Sequence, residues 1–288
     1  MLLILWDFDG TIANSEKKFY LTLKQYIQEK IPTIIINIDE FTEEFYYKNC
    51  AGKKYYEDFK ILGSKGIIDY SKITEKDLNN FLDYLSIELQ NVKDGEITFT
   101  KGMDKLLMKL SKEKNIKMVI DTNARKSDFI LKSKALKNNI IDEIIKNNNG
   151  YSSTDLSQDY KYLNFEKYKI MAKPNPAIFI YAIEDILKQN IKIDNIIIIE
   201  DSPSAVKGGK NFMECEYAKN KFKDIKVIGY TAGDHRPDGQ TLLENGADVI
   251  IDNADDLYNY TFINLKEYFI IYYDIYFEIF NMYFTSSE

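Results

Sequence analysis

The chain has 288 residues, 45% of them hydrophobic and 29% charged, which is an ordinary globular composition with enough apolar material for one large domain or two. Its net charge of −7 provides no general attraction for nucleic acid or anionic lipid, so any phosphate site must rest on local cations. Cys50 and Cys215 have no metal-binding spacing, and no run approaches the ~18 apolar residues of a membrane helix. We therefore expect a cytoplasmic protein with reduced thiols that binds neither membranes nor nucleic acid.

The N-terminal third of the chain begins with an apolar run and continues with helical periodicity. Residues 2–6 are apolar and end at an acid–Gly turn, which predicts a buried central strand. Helical patterns follow over residues 16–30, 40–62 and 75–90. These helices follow directly after the first strand and separate it from the rest of the chain, which indicates an inserted helical unit.

From residue 95 onward, strands and helices alternate. Apolar runs predict four strands, over Ile116–Asp121, Ile196–Ile199, Lys226–Tyr230 and Asp248–Ile251. Helical patterns cover residues 102–112, 125–138 and 176–187. Residues 147–160 are rich in Asn, Ser, Asp and Gly, which predicts a surface insertion that extends to about residue 170.

Strands that alternate with helices indicate a parallel sheet covered on both faces, an α/β fold with a Rossmann-like core. We expect residues 1–13 and 95–257 to form this core, residues 14–94 to form an inserted α-helical cap, and residues 258–288 to form an aromatic-rich helical extension. In such sheets, ligands bind beyond the carboxyl ends of the strands. The polar residues at those predicted ends are Asp7 and Asp9, Thr122 and Asn123, and Glu200 and Asp201.

The first strand end carries two carboxylates within Asp7-Phe8-Asp9-Gly10-Thr11. Two acids two residues apart can face one site when the chain leaves the strand and turns. Their mutual repulsion is relieved by a bound cation or by raised pKa values. Mg²⁺, which proteins hold with one or two carboxylates and a phosphate, fits these ligands. Gly10 allows a sharp turn and a close approach to a ligand. Taken alone, the motif is explained equally well by a strand followed by a polar turn with capping acids.

Four motifs in this order resemble the haloacid dehalogenase superfamily of phosphatases and phosphotransferases. They are Asp7–Thr11, Ile120–Asn123, Lys173–Pro176 and Ile199–Ser202, and each lies at a predicted strand end or helix start. The resemblance covers residues 1 to about 255 and is strongest for the branch with a helical cap after the first motif, which includes phosphoglycolate phosphatases and β-phosphoglucomutases. It implies a Mg²⁺-dependent phosphatase that hydrolyses a small phosphorylated metabolite, a sugar phosphate or a phosphoglycolate-like compound.

The resemblance also implies a role for each acid of the motifs. Asp7 would attack phosphorus as its carboxylate and form an aspartyl-phosphate. Asp9 would protonate the leaving oxygen and then deprotonate the attacking water. Asp7, the backbone carbonyl of Asp9, and Asp201 would hold the metal, with Glu200 assisting.

The second and third motifs are implied to bind the phosphate. Thr122 and the backbone N–H of Asn123 would hold its oxygens, and Lys173 would supply the compensating positive charge. The residues alone leave two simpler interpretations open, a helix-capping hydroxyl for Thr122 and a solvent-exposed ammonium for Lys173.

Substrate recognition is expected to involve Gly52 and Lys53 of the cap and Arg125 just past the second motif. Lys53 and Lys54 are equally well explained as a solvated pair, and Arg125 as a salt-bridge residue. His235 is the only histidine, and its Gly-rich surroundings predict a loop near the rim of the site.

The resemblance leaves more than one function open. Asp9 favours phosphoryl chemistry over dehalogenation or carbon–phosphorus cleavage, because members with those activities lack this acid. The hexose-phosphate mutases of the group carry a His shortly after the first motif, and Glu16–Tyr20 contains none, so hydrolysis is favoured over a mutase reaction. A non-catalytic phosphate-binding or interaction protein is a further alternative, and the tail after residue 257 offers a surface for a homo-oligomer.

Overall fold

The structure, a computed structural model, describes residues 1–159, 162–163, 171–234 and 238–261. Its strands are β1 (Leu2–Trp6), β2 (Ala13–Asn14), β3 (Thr98–Phe99), β4 (Ile116–Thr122), β5 (Gly150–Ser152), β6 (Gln158–Asp159), β7 (Tyr162–Leu163), β8 (Asn195–Glu200), β9 (Asp224–Tyr230) and β10 (Val249–Ile251). Six of them form one sheet in the order β10–β9–β8–β1–β4–β5. Every pairing in that sheet is parallel, which confirms the predicted α/β fold with a Rossmann-like core.

The first strand lies inside the sheet, between β4 and β8, and all of its residues are buried. The register aligns Trp6 with Ile120 of β4 and with Ile199 of β8. Because the three strands run in the same direction, the residues that follow these positions meet at one edge of the sheet. The residues that follow are Asp7, Asp121 and Glu200.

Helices cover both faces of the sheet. The helices of the described chain include α1 (Glu16–Lys30), α2 (Glu43–Asn49), α3 (Tyr55–Ser64) and α4 (Glu75–Gln90), which lie outside the sheet layers, and α5 (Met103–Leu110), α6 (Lys126–Ala135), α7 (Asn139–Lys146), α8 (Ser153–Ser157), α9 (Ala177–Lys188), α10 (Pro203–Glu214), α11 (Glu216–Lys221) and α12 (Gly239–Glu244). Leu2, Ile4 and Trp6 pack in one apolar cluster with α5, α6 and α7. Leu3 and Leu5 point to the other face, where they pack with α9 and α10. This double coverage explains why β1 is a continuous apolar run.

Helices α1 to α4 lie between β2 and β3. These two short strands pair antiparallel, which brings the start and the end of the helical segment together. The ring of Phe81 in α4 is buried at the centre of these helices, 5.5 Å from the ring of Phe19, 5.4 Å from Tyr26 and 5.8 Å from Phe59. Buried aromatic rings of this kind supply much of the packing energy of a small helical unit. These helices correspond to the expected cap, whose bounds at residues 14 and 94 stay a prediction.

The helical pattern predicted over residues 40–62 forms two helices, α2 and α3, instead of one. Gly52 lies between them with a φ of +73°, a left-handed conformation that residues with a side chain rarely adopt. The hydroxyl of Thr42 accepts a hydrogen bond from the backbone N–H of Phe45 at 3.1 Å and begins α2. The chain therefore turns at Gly52, which places a loop at this end of the cap.

The predicted surface insertion over residues 147–160 is wrong for its first part. That part contains β5, which pairs with β4 at the edge of the sheet and is buried. The hydroxyl of Ser152 donates to a backbone carbonyl just past β4, and the hydroxyl of Thr154 accepts from the N–H of Lys126 at 3.1 Å. The polar side chains that suggested a surface loop instead form hydrogen bonds to partly buried backbone groups.

Some predictions fall outside the described residues. These concern His235, residues 160–161 and 164–170 of the expected insertion, and the tail from residue 262 onward. Within the described part of the chain, no helix combines the length and the apolar composition needed to cross a membrane.

Candidate active site

The chain turns sharply directly after β1. The N–H of Asp7 donates to the carbonyl of Ile199 at 3.0 Å, which extends the sheet pairing by one residue, and the N–H of Gly10 donates to the carbonyl of Ala13 at 2.8 Å. Gly10 has a φ of +81°, and a Cβ at this position would lie 1.8 Å from Oδ2 of Asp201. Both the left-handed backbone and the lack of space for a Cβ require glycine at this position. The turn therefore brings the backbone of the first motif into contact with Asp201.

Lys173 is the cation at the centre of the strand ends. Its ammonium lies 3.0 Å from Oδ1 of Asp7, 2.6 Å from Oδ1 of Asp121 and 2.7 Å from Oε1 of Glu200, and only 1% of its side chain is exposed. Burial lowers the pKa of Lys173, but the three carboxylates outweigh burial and raise that pKa well above its ordinary value. Lys173 is therefore charged at neutral pH, and three acids share its ammonium.

The acids around Lys173 carry more charge than one ammonium neutralises. Burial raises the pKa of Asp7 to about 6, while Lys173 opposes this rise and the nearby Asp9 adds to it. Burial also raises the pKa of Glu200 well above its ordinary value, again against Lys173. The pKa of Asp201 is raised well above its ordinary value by burial and then by the negative charge of Asp7, and a backbone hydrogen bond opposes this rise; among the described residues, no cation forms an ion pair with its carboxylate. The Asp201 side of the site therefore has a deficit of positive charge.

The carboxylates of Asp7, Glu200 and Asp201 fit a hard divalent cation. Their ligand oxygens all lie within 4.8 Å of one another, and all three residues are buried. Oxygen donors are the ligands that Mg²⁺ prefers, and a cation here would supply the missing positive charge. The charge of Glu200 is already offset by Lys173, whereas that of Asp201 is not, so a metal would stabilise Asp201 more than Glu200.

The carboxylate of Asp9 is held from two sides. The ammonium of Lys132 in α6 contacts both of its oxygens, and the hydroxyl of Ser15 donates to Oδ1. The side chains of Asp9 and Lys132 are 21% and 12% exposed, and both line the same cavity. The expected acid–base residue therefore has a lysine partner that was not predicted from the sequence.

Glu16, the first residue of α1, places a further carboxyl near Asp9. Its Oε2 accepts a hydrogen bond from the phenol of Tyr46 in α2. Burial raises the pKa of Glu16 to about 7, with a further rise from Asp9, while the hydrogen bond from Tyr46 and the charge of Lys132 oppose it. The site thus contains a half-buried carboxyl that exchanges its proton near neutral pH.

We expect Glu16→Gln to reduce the pH dependence of stability between pH 4.5 and about 7. Because the pKa in the folded chain exceeds its ordinary value of 4.5, the folded chain keeps a proton that the unfolded chain has lost in this window, so stability falls as pH rises. The Tm of the metal-free protein should therefore fall less in Glu16→Gln than in the wild type between about pH 5 and about pH 8. Glu44→Gln, at an exposed position of α2, is the matched control. Equal Tm changes in the wild type and Glu16→Gln would contradict this assignment.

The turn after β4 holds the residues expected to bind phosphate. The hydroxyl of Thr122 accepts a hydrogen bond from the N–H of Ala124 at 3.0 Å, which stabilises the turn itself. It does not cap the following helix, because α6 begins at Lys126 with Arg125 as its N-cap. The side-chain oxygen of Asn123 accepts from the backbone N–H of Lys173 at 3.0 Å. Thr122, Asn123, Lys173 and Asp7 line one cavity, so the structure brings the expected phosphate-binding residues together with the expected nucleophile.

This cavity has a volume of about 660 Å³ and lies between the strand ends and the cap. A Cβ at Gly52 would lie 3.0 Å from the Cβ of Ser202, so the loop between α2 and α3 reaches the core beside Asp201. Lys53 lines the cavity, and its ammonium donates to the carbonyl of Asn49. The structure places Gly52 and Lys53 at the site, and their contact with a substrate stays a prediction.

Arg125 joins the core to the cap. Its Nε donates to Asp128 at 2.8 Å, and its Nη2 donates to the hydroxyl of Ser86 at 2.9 Å and to the carbonyl of Leu82, both in α4. Asp128 in turn accepts from the hydroxyl of Ser86 at 2.6 Å and is buried. Arg125 therefore forms the salt bridge that was one of its two expected roles. It also lines the cavity, and its contact with a substrate stays a prediction.

Sequence reasoning missed Asp121, Glu16 and Lys132 as members of the site. Asp121 is an acid inside a buried strand, one residue before Thr122, and an unusual charge of that kind could have identified it. Glu16 and Lys132 lie in helices, where such side chains usually face solvent, so no local pattern distinguishes them.

Comparison with known proteins agrees with this geometry. The sequence profile of the haloacid dehalogenase-like hydrolases matches residues 4–213 of the chain. No curated protein matches the sequence.

Three solved structures illustrate the likeness of fold. A conserved haloacid dehalogenase-like protein of unknown function from Agrobacterium tumefaciens is 19% identical, with a TM-score of 0.60 over 88% of this chain and 95% of that one. A predicted phosphoglycolate phosphatase from Haemophilus somnus is 17% identical, with a TM-score of 0.58 over 90% of this chain and 97% of that one. The protein CbbY from Rhodobacter sphaeroides, solved in complex with phosphate, is 15% identical, with a TM-score of 0.59 over 88% and 95%. Because the profile covers more than half of the chain, the chain belongs to the haloacid dehalogenase-like hydrolases.

Proposed function

We propose that this hydrolase is a Mg²⁺-dependent phosphatase that releases phosphate from a small phosphorylated metabolite through an aspartyl-phosphate. The observation that carries the proposal is the position of Asp7, at the carboxyl end of β1, 3.0 Å from the ammonium of Lys173 and beside Asp201. A carboxylate in this place has a cation on one side and room for a metal on the other. That environment suits a nucleophile that must approach an anionic phosphate.

The reaction divides into two displacements at phosphorus. In the first, a carboxylate oxygen of Asp7 forms a bond to phosphorus, the bond from phosphorus to the substrate oxygen breaks, and Asp9 gives that oxygen a proton. In the second, water attacks the same phosphorus, Asp9 takes a proton from the water, and the bond to Asp7 breaks. The products are an alcohol and inorganic phosphate, and both carboxyl groups return to their starting states.

Magnesium, when bound by Asp7, Asp201 and the backbone carbonyl of Asp9, supplies positive charge that reduces repulsion between the carboxylate nucleophile and the phosphate. Glu200 contributes by holding Lys173 in place at 2.7 Å. Thr122 and the N–H of Asn123 orient the phosphate oxygens from the turn after β4. Lys173 offsets part of the negative charge from within the protein.

The cavity favours a small substrate. At about 660 Å³, with the loop at Gly52 next to Ser202, it has room for a phosphorylated metabolite but not for a folded protein or a duplex. Exclusion of bulk water by such a cap strengthens the electrostatic interactions inside. A cytoplasmic small-molecule phosphate ester is therefore the substrate class that we propose.

Hydrolysis of p-nitrophenyl phosphate with Mg²⁺ and with EDTA tests the proposal. We expect turnover that requires Mg²⁺, falls to background in EDTA and returns with excess Mg²⁺. By calorimetry, Asp201→Asn should weaken Mg²⁺ binding at least about tenfold. The matched control is Asp255→Asn, because the side chain of Asp255 is 89% exposed.

Other outcomes would replace the proposal with a different function. Turnover that is unchanged in EDTA would contradict the metal requirement. A folded protein that binds Mg²⁺ but hydrolyses neither p-nitrophenyl phosphate nor a panel of metabolite phosphates would favour the binding-protein alternative. A sugar phosphate that isomerises without release of phosphate would favour the mutase alternative.

A further inference from the structure

Lys132 is the one residue of α6 that reaches the acid–base side chain of the proposed reaction. Its ammonium contacts both oxygens of Asp9, and its side chain is mostly buried within the cavity. The only other described contact to this carboxylate is the hydroxyl of Ser15. Among the described residues, Lys132 therefore makes two of the three polar contacts that hold the Asp9 carboxylate in place.

The helix that carries Lys132 is itself fixed against the first motif. Phe129, three residues earlier and on the same face of α6, packs edge-on against Phe8 with ring centroids 5.0 Å apart. A Cβ at Gly150 would lie 2.8 Å from the ring of Phe129, so the backbone of β5 also packs closely against that ring. Because Phe8 is the residue before Asp9, this packing sets the distance from α6 to the carboxylate.

The charges around Asp9 explain why it needs a partner. Lys173 is occupied by Asp7, Asp121 and Glu200, so the remaining acids depend on another cation. Asp9 interacts electrostatically with the like charges of Asp7, Glu16 and Asp201. Without the ammonium of Lys132, this repulsion would drive the carboxylate of Asp9 away from the cluster, and so away from the place where the proposed reaction needs it.

We propose that Lys132 is a positioning residue for the proposed phosphatase reaction, which fixes the carboxylate of Asp9 where it exchanges protons with the leaving oxygen and with water. Oδ1 of Asp9 is held by both Lys132 and Ser15, whereas Oδ2 is contacted by Lys132 alone, so Oδ2 is the oxygen that is placed to exchange a proton with the substrate. The proton that Asp9 gives to the leaving oxygen is recovered from water in the second displacement, so Lys132 itself is neither consumed nor deprotonated. This inference rests on the proposed function.

The test uses two substrates of similar size whose leaving groups differ in their need for a proton. p-Nitrophenolate leaves readily, whereas the phenolate of phenyl phosphate requires a well-placed acid. We expect Lys132→Met to lower kcat/KM for phenyl phosphate by about 10²-fold, and for p-nitrophenyl phosphate by less than about tenfold. Lys132→Arg keeps two donors for a carboxylate, so the ratio of its kcat/KM for phenyl phosphate to its kcat/KM for p-nitrophenyl phosphate should be close to that of the wild type.

The matched control is Lys134→Met, an exposed lysine on the same helix, which should leave both values unchanged. Equal losses on the two substrates in Lys132→Met would mean that the lysine supports the fold or the binding of phosphate, and would overturn the positioning role. So would a failure of Lys132→Arg to restore the ratio in a protein that is folded.

A second measurement needs no turnover, so failure of the proposed function and failure of this inference can be distinguished. The Tm values of the wild type, Lys132→Met, Asp9→Asn and the double variant in EDTA form a double-mutant cycle. If Lys132 holds Asp9, the double variant loses less than the sum of the two single losses. Additive losses would overturn the inference even in a protein that hydrolyses no phosphate ester.

Discussion

Asp7→Asn is expected to lower kcat for p-nitrophenyl phosphate by about 10⁴-fold or more, because the amide that replaces the carboxylate is too poor a nucleophile to form an acyl phosphate. Asp7 is placed for this role by three features at once. It follows the central strand, its N–H pairs with Ile199, and its Oδ1 lies 3.0 Å from Lys173. Steady-state kinetics at saturating Mg²⁺ measures the loss, and circular dichroism establishes that the variant is folded.

Acid quenching during turnover gives a direct test of the same assignment. Wild-type protein should carry phosphate on the peptide that contains Asp7, and Asp7→Asn should carry none. Asp255→Asn, at an exposed position, should keep both the phosphopeptide and full activity. Turnover by Asp7→Asn at a wild-type rate, or a phosphopeptide elsewhere in the chain, would show that another residue is the nucleophile.

The sequence was sufficient to predict five of the six strands of the sheet, all but β5, and the polar residues at the ends of β1, β4 and β8. The reason is physical: β1 and β8 are buried on both faces, so their residues form continuous apolar runs that end where the chain leaves the sheet. Each run is followed by acids, and parallel strands bring such residues to one edge. The proximity of Asp7 to Asp201 follows from that topology alone.

The parts that could not be predicted depend on contacts between distant elements. The strand β5 has only one apolar side chain, that of Tyr151, between Gly150 and Ser152. Its burial is explained by the hydrogen bonds that Ser152 and the nearby Thr154 form with the chain just past β4. Lys132 becomes a partner of Asp9 only when Phe129 has set α6 against Phe8. Neither placement leaves a local pattern, because both arise from the packing of whole elements.

Two lysines divide the acids of the site between them. Lys173 contacts Asp7, Asp121 and Glu200, and Lys132 contacts Asp9. Asp201 contacts neither lysine, and it is the carboxylate that we propose as the main ligand of Mg²⁺. This division has an energetic consequence, because a buried carboxylate without a cation must either bind a proton or destabilise the fold.

Lys173→Met should therefore lower the free energy of unfolding by about 3–5 kcal/mol at about pH 8, since Asp121 and Glu200 would lose the one cation within ion-pair distance of them among the described residues. Both carboxyl groups are completely buried, and burial already raises their pKa values against the opposing effect of Lys173. In the variant they should keep protons that the unfolded chain releases, so stability should fall as pH rises.

The loss of unfolding free energy caused by Lys173→Met should consequently become smaller as pH is lowered from about 8 to about 5, because protonated carboxyl groups need no cation. Urea midpoints of the metal-free protein across this range measure the effect. Lys192→Met, whose side chain is 86% exposed in the wild type, should change stability by less than about 0.5 kcal/mol at every pH. If Lys173→Met were as stable as the wild type at about pH 8, Asp121 and Glu200 would have to be protonated in the wild type as well. Lys173 would then have no carboxylates to neutralise, and its assignment as the central cation of the site would be wrong.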